Sequence, residues 1–166
     1  MIHDDLKSIN LLSFNPINIV QLKAFNQRTF PVNYLKSFYS DVIDKHVNLC
    51  VGLTYKDYLI GTICCRIQKK SVLLLKGHHV YIMLLGIDPQ FRQKGLASYL
   101  LEYIYDKIEM EYTHISYIYL HVQVNNTCAL NFYQKHGFLV YKTVYNYYKV
   151  DPTDAYILYK QVNTQE

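Results

Sequence analysis

Apolar positions along this chain recur with two spacings, near four and near two, and their succession lays out the elements. Residues 1–9 read as a loose N-terminus. Asn15-Pro16 reads as a helix start, with Asn as cap and Pro in the first turn, and Ile19, Leu22 and Phe25 follow at helical spacing. The break at Phe30-Pro31-Val32-Asn33 opens a second helix, in which Leu35, Phe38, Tyr39, Val42 and Ile43 share one face. Two strand-like runs, about Leu49–Tyr55 and Tyr58–Gln68, are joined tightly at Lys56-Asp57, and a third runs from about His79 to Ile87. The helix after Gly95 places Leu96, Leu100, Ile104 and Ile108 on one stripe. Tyr117–Val124 is a further strand, Asn126 caps a short helix ending at Gly137, and Phe138–Tyr145 and Asp154–Val162 close the sheet. The predicted order is ααβββαβαββ, a mixed α/β fold in a single domain over residues 1–166, without linkers or repeats.

Composition narrows the class. A chain of 166 residues, 51% of them hydrophobic, is long enough to bury a sizeable core and too apolar to be disordered. Seventeen basic against 13 acidic residues leave a net charge of +4, which suits an anionic ligand and is too dispersed to imply nucleic acid. The four cysteines, Cys50, Cys64, Cys65 and Cys128, form no metal-binding spacing, so free thiols and no metal are expected. The first residues carry acids and no apolar run, and eighteen consecutive apolar residues occur nowhere, which reads as a soluble, cytosolic protein without a membrane partner. Eighteen tyrosines and no tryptophan have no evident chemical meaning at this level.

The stretch Tyr81–Ala97 carries the chemistry. An apolar strand leads through Asp88-Pro89 into Arg92-Gln93-Lys94-Gly95-Leu96-Ala97, which opens a helix. The first N–H groups of a helix lack internal partners and sit at its positive pole; Gly95 lets backbone approach a ligand, and Arg92 and Lys94 add charge. That is a cradle for a pyrophosphate. Period two puts Tyr81, Met83 and Leu85 on one face of their strand, and Tyr117, Tyr119, His121 and Gln123 on one face of theirs. If the two strands are neighbours, Tyr81 and His121 line one cleft. On residues alone both stay open to plainer readings: strand packing for Tyr81, a solvated or structural histidine for His121.

A second signature, Asn126-Thr127-Cys128-Ala129-Leu130-Asn131-Phe132-Tyr133-Gln134-Lys135-His136-Gly137-Phe138, follows. Both stretches resemble the acetyl-coenzyme A motifs of the GNAT acyltransferase superfamily. From about Asn15 to Gln161 the chain also resembles that superfamily's San-type (NatE) N-terminal acetyltransferases. The likeness is densest at Asn26-Gln27, Phe30-Pro31-Val32, Cys64-Cys65-Arg66, Tyr81-Ile82-Met83, Tyr119–Gln123 and Asn146–Lys149. The resemblance implies the GNAT fold: one mixed, mostly antiparallel sheet with splayed central strands and flanking helices. A thioester would enter between those strands from one side and a peptide's first nitrogen from the other.

It also implies roles. Acetyl-CoA would lie against Leu85, Gly86 and Ile87, on the turn Arg92, Gln93, Lys94, Gly95, Leu96, Ala97 and Ser98, and beside Asn126, Ala129, Tyr133 and Lys135. Tyr81 and His121 would deprotonate the substrate amine through an ordered water, with Tyr133 near the cofactor sulfur. Phe30, Pro31, Val32, Tyr34 and Met83 would hold the first substrate residue, opposed by Tyr147, Tyr148 and Val150. Such aromatic surroundings suit an initiator methionine followed by a hydrophobic residue. The implied partners are nascent or peptide N-termini and a ribosome-associated scaffold of the NatA auxiliary type, in the cytoplasm, with the nucleus left open.

Three features depart from the family pattern. Only Val150 separates Lys149 from Asp151-Pro152, Leu84 stands where threonine is common, and the connection from Arg66 to Tyr81 is longer and carries Val72-Leu73-Leu74-Leu75. That apolar run reads either as packed over a sheet edge or as a partner contact. Two rival functions remain: a GNAT acting on lysine or a small amine, and a non-catalytic acetyl-CoA-binding subunit of an N-terminal acetyltransferase complex.

Overall fold

The computed structural model describes residues 8–69 and 77–162, so Val72–Leu75 and most of the expected loose N-terminus lie outside the described residues. The strands are β1 (Ile9–Ser13), β2 (Cys50–Tyr55), β3 (Tyr58–Gln68), β4 (His78–Ile87), β5 (Ile115–Gln123), β6 (Leu139–Val144) and β7 (Ala155–Gln161). The helices are α1 (Ile19–Thr29), α2 (Lys36–Asp44), α3 (Leu96–Glu111) and α4 (Thr127–Lys135). Hydrogen bonding orders the strands β1-β2-β3-β4-β5-β7-β6 in one mixed sheet. The pairs β1–β2, β2–β3, β5–β7 and β6–β7 are antiparallel, and β4–β5 is parallel. No described helix is long and apolar enough to cross a membrane.

Two local outcomes differ from the pattern. β1 was not predicted: Ile9-Asn10-Leu11-Leu12-Ser13 does not alternate, and it becomes a strand by pairing with β2 from Ile9↔Tyr55 to Ser13↔Val51. α1 begins later than Asn15-Pro16 suggested. The Asn15 side chain accepts from the N–H groups of Ile17 and Asn18, at 2.8 and 2.9 Å, and so caps a turn ahead of the helix. The β2–β3 hairpin closes at Lys56-Asp57 as expected, both residues left-handed at φ 48° and 63°, the geometry that suits strand twist.

The chain forms two compact units, whose boundaries fall inside β3, between Arg66 and Ile67, inside β4, between Ile82 and Met83, and inside α3, between Ile104 and Tyr105. The first holds the described residues up to Arg66 with Met83–Ile104. Its core is Phe14, Leu22, Phe25, Val42, Cys50, Leu59, Cys64 and Leu84, against which Phe30, Tyr34, Phe38 and Met83 pack. The second holds β5, β6, β7, α4 and the first half of β4. Tyr119 and Ile157 form a small aromatic-rich core there, flanked by Tyr81, Tyr117, Tyr141, Val144 and Tyr159. The α3 stripe is buried as expected, with Leu100, Ile104 and Ile108 wholly out of water.

Candidate functional site

In the second unit, β4 and β5 run side by side in a register from His78↔Ile115 to Tyr81↔Tyr119. Alternation then sets Tyr81 next to the face that carries His121, while Ile118, Leu120 and Val122 turn to the core. The Tyr81 and His121 ring centroids lie 5.7 Å apart, edge to face. Tyr147, from the loop between β6 and β7, lies flat on the imidazole at 4.1 Å and 4°, and its hydroxyl is 3.3 Å from that of Tyr81. Tyr148 meets Tyr147 edge-on at 4.9 Å. Four residues singled out in the sequence are thus gathered in one place.

Their electrostatics diverge. Burial, above all, pushes the Tyr81 phenol far above the usual tyrosine range, and the neighbouring phenols of Tyr147, Tyr148 and Tyr119 push the same way. Tyr148 is raised to about 12, again chiefly by burial. His121 goes the other way, down to about 4, because burial disfavours the charged ring and the Lys142 ammonium adds to it. The imidazole is therefore neutral at physiological pH. Its Nδ1 is buried without a hydrogen-bond partner among the described residues. Behind it on the chain, the Asn126 side chain accepts from the Ala129 N–H at 3.1 Å and opens α4, as its position predicted. Tyr133, one turn beyond Ala129 on α4, is buried against Phe132 and Phe138. Ala129 is half-buried and Lys135 exposed in the last turn.

In the first unit, Leu85-Gly86-Ile87 ends β4 and leads to Asp88, whose buried carboxylate accepts from the Gln90 N–H at 3.1 Å and from Arg28 Nε at 3.3 Å. The Asp88 N–H donates to Ile60 O at 2.8 Å, so the turn is pinned to β3. Gln93 (φ 59°) and Gly95 (φ 78°) are left-handed on either side of Lys94, which turns successive N–H groups into a concave nest at the start of α3. Leu96, Ala97 and Ser98 form that helix's first turn. Arg92 Nε donates to Ile87 O at 3.0 Å, and Lys94 Nζ sits 5.2 Å from the Phe91 ring centre. A Cβ on Gly95 would meet nothing within 4 Å. Open space, a left-handed backbone and two cations fit the pyrophosphate of a nucleotide cofactor. A cleft of about 360 Å³ adjoins this turn, lined in part by Lys94, Gly95 and Tyr99 and by Ile9 and Leu11 of β1.

The first unit also holds the aromatic wall. Phe30 follows α1 and meets Phe25 and Tyr34 edge-on at 6.2 and 6.1 Å, while Tyr34 packs on Phe38 at 4.7 Å. The Phe30 ring rests on Gly86, where a Cβ would lie 2.3 Å from its Cζ. Met83 packs on this cluster, Pro31 and Val32 are exposed beside it, and Leu84 is buried in the core. Val150, in the second unit, is exposed. Sequence reasoning missed Asp88, Arg28 and the two β1 residues at the cleft. Asp-Pro at the turn was a usable signal for the first, whereas the others rest on long-range pairings. All four cysteines are free, only Cys128 being exposed, and burial pushes the Cys64 and Cys65 thiols up, which keeps them unreactive.

The chain is similar to known proteins. Residues 19–138 match the model of the acetyltransferase (GNAT) family. The N-alpha-acetyltransferase 50 of Danio rerio is 38% identical over 158 residues, 94% of this chain and 90% of that protein. The probable N-acetyltransferase san of Drosophila melanogaster is 38% identical over 154 residues, 92% of this chain and 80% of its own length. Among solved structures, Arabidopsis thaliana Naa50 in complex with the bisubstrate analogue CoA-Ac-MVNAL superposes with a TM-score of 0.81 at 36% identity, covering 92% of this chain and 98% of that one. By family model and by relatives alike, the chain belongs to the acetyltransferase (GNAT) family, alongside N-alpha-acetyltransferase 50 and san.

Proposed function

We propose that this protein is an N-terminal acetyltransferase, moving acetyl from acetyl-CoA to the α-amine of peptides that begin with methionine and a hydrophobic second residue. Relatives named for N-alpha-acetyl transfer, and the Arabidopsis protein solved with CoA-Ac-MVNAL, support the reaction and the cofactor. The observation that carries the reading is the neutral His121, its ring 5.7 Å from that of Tyr81, whose hydroxyl lies 3.3 Å from that of Tyr147.

A peptide α-amine has a pKa of about 7.7–8.0, so at neutral pH most of it is protonated and cannot attack a carbonyl. His121 is neutral across that range and accepts the proton only transiently, through a bridging water, passing it on to solvent. Tyr81 keeps its own proton and so orients that water through Oη; its raised phenol excludes it as the base. Acetyl-CoA, when bound, supplies the acetyl group as an activated thioester. The nest at Gln93–Gly95, Arg92, Lys94 and the first turn Leu96–Ser98 would hold its pyrophosphate, and the family likeness adds Asn126, Ala129 and Lys135. Backbone groups of Leu85–Ile87 bind the acetyl carbonyl. Tyr133 keeps a proton on Oη for the departing sulfur. No cysteine takes part.

The San-type likeness assigns selectivity to Phe30, Pro31, Val32, Tyr34 and Met83 and to Tyr147, Tyr148 and Val150. Burying a methionine side chain is worth about 1.5–3 kcal/mol, enough to prefer it over a small residue. The San-type likeness further supports a ribosome-associated auxiliary scaffold as partner and the cytoplasm as the site of action. The test is an acetylation assay with peptides starting Met-Leu or Ser-Glu and one whose only amine is an internal lysine. Met-Leu should be the preferred acceptor, with turnover abolished in His121→Ala and strongly reduced in Tyr81→Phe. Preference for the lysine peptide, or full activity in both variants, would overturn the reading.

A further inference from the structure

The mechanism leaves one polar side chain beside the relay unused. Gln123 stands two residues beyond His121 on the same face of β5. Its Nε2 donates to two carbonyls, Val150 O at 3.1 Å and Pro152 O at 2.7 Å, both in the loop between β6 and β7. That loop presents Tyr147 to the relay. Internally it is stitched by the Tyr148 N–H to Thr153 O at 2.7 Å, the Asn146 N–H to Asp154 Oδ1 at 2.9 Å, and Thr153 Oγ1 to Asn146 Oδ1 at 3.2 Å. Those bonds shape the loop without saying where it sits. Gln123 adds the side-chain tie to β5, joined by the backbone bond from the Val124 N–H to Asp154 O at 3.1 Å. Tyr147 itself is 42% exposed, too open for burial alone to hold its ring in one place.

We propose that Gln123 is a positioning residue: by gripping the carbonyls of Val150 and Pro152 it sets Tyr147 flat on His121, with the two tyrosine hydroxyls side by side. The inference rests on the relay reading above and extends it to a residue that touches neither substrate nor cofactor. The amide is suited to the task because one NH₂ group has two donors and no charge, matching two neighbouring carbonyls. It also explains how a loop with only Val150 between Lys149 and Asp151-Pro152 keeps its tyrosines in place, since the shortened segment is the one gripped.

Two variants remove the grip. Gln123→Ala deletes it, and Gln123→Glu keeps the length while replacing the donors with a carboxylate that repels both carbonyls. Each should lower kcat by about tenfold, the scale of a lost pair of hydrogen bonds, with the KM for acetyl-CoA unchanged. Tyr147→Ala should cost much less in either background than in the native protein, because the ring it removes is already displaced. Native kcat in both variants, or losses that simply add to that of Tyr147→Ala, would overturn the proposal. Should Gln123→Ala fail to fold, Gln123→Glu decides alone by the same readings. His121→Ala measured in parallel keeps the two ideas apart: turnover surviving there defeats the relay, whereas turnover surviving only in the Gln123 variants defeats the positioning role.

Discussion

At the scale of single residues, the telling feature is a histidine held neutral by burial. Its folded value of about 4 lies below the ordinary imidazole value of about 6.5. Between those two values the unfolded chain binds a proton that the folded chain does not, so stability rises with pH across that window and falls as pH drops through it. Melting temperatures taken from about pH 7 down to about pH 4.5 should decline in the native protein and decline less in His121→Gln. Equal slopes would mean that the ring is not held neutral by its surroundings. Gly86 offers a second test. Because a Cβ there would strike the Phe30 ring at 2.3 Å, Gly86→Ala must displace the ring, and the KM for a Met-initiated peptide should rise several-fold. An unchanged preference for methionine would remove Phe30 from the selective wall.

At the scale of elements, the cradle depends on two left-handed residues in a four-residue turn. Gly95→Ala places a side chain at φ 78°, a strain of about 1 kcal/mol, without any steric clash. Calorimetric titration should therefore show several-fold weaker acetyl-CoA binding with a melting temperature lower by about 2–4 °C, and unaltered binding would place the pyrophosphate elsewhere. Much at this scale was legible beforehand. β3 follows from its unbroken apolar run and the buried stripe of α3 from a period of about four, and Asn126 caps α4 by the chemistry that marked it. β1 was not legible, because its five residues do not alternate and only β2 makes them a strand. The start of α1 was misplaced for a related reason: the Asn15 side chain serves a turn and a helix cap equally well, and backbone geometry decides between them.

At the scale of the molecule, what the sequence hides is distance along the chain. Alternation assigns Tyr81 and His121 each to a face of its own strand from local pattern. Their pairing depends on the two strands being neighbours, which only the family resemblance implies. The grip of Gln123 spans 27 and 29 residues, and the Arg28–Asp88 pair spans 60, so no local rule points to either. The same long closure applies to the core. Leu100 on α3 is wholly buried, with its Cδ1 3.6 Å from where a Cβ on Gly61 of β3 would sit. Leu100→Ala should cost about 2–5 kcal/mol in urea unfolding while leaving turnover near native at low temperature. A loss below that range would mean the helix can settle into the void.

Three of the four thiols are sealed inside, and the fourth, Cys128, opens to solvent in the first turn of α4, between Asn126 and Ala129. A maleimide dye should therefore attach at a single address, with no engineered cysteine needed. Pre-incubation with acetyl-CoA should shield that address from the dye, giving an occupancy gauge that reports on the nucleotide without any turnover at all.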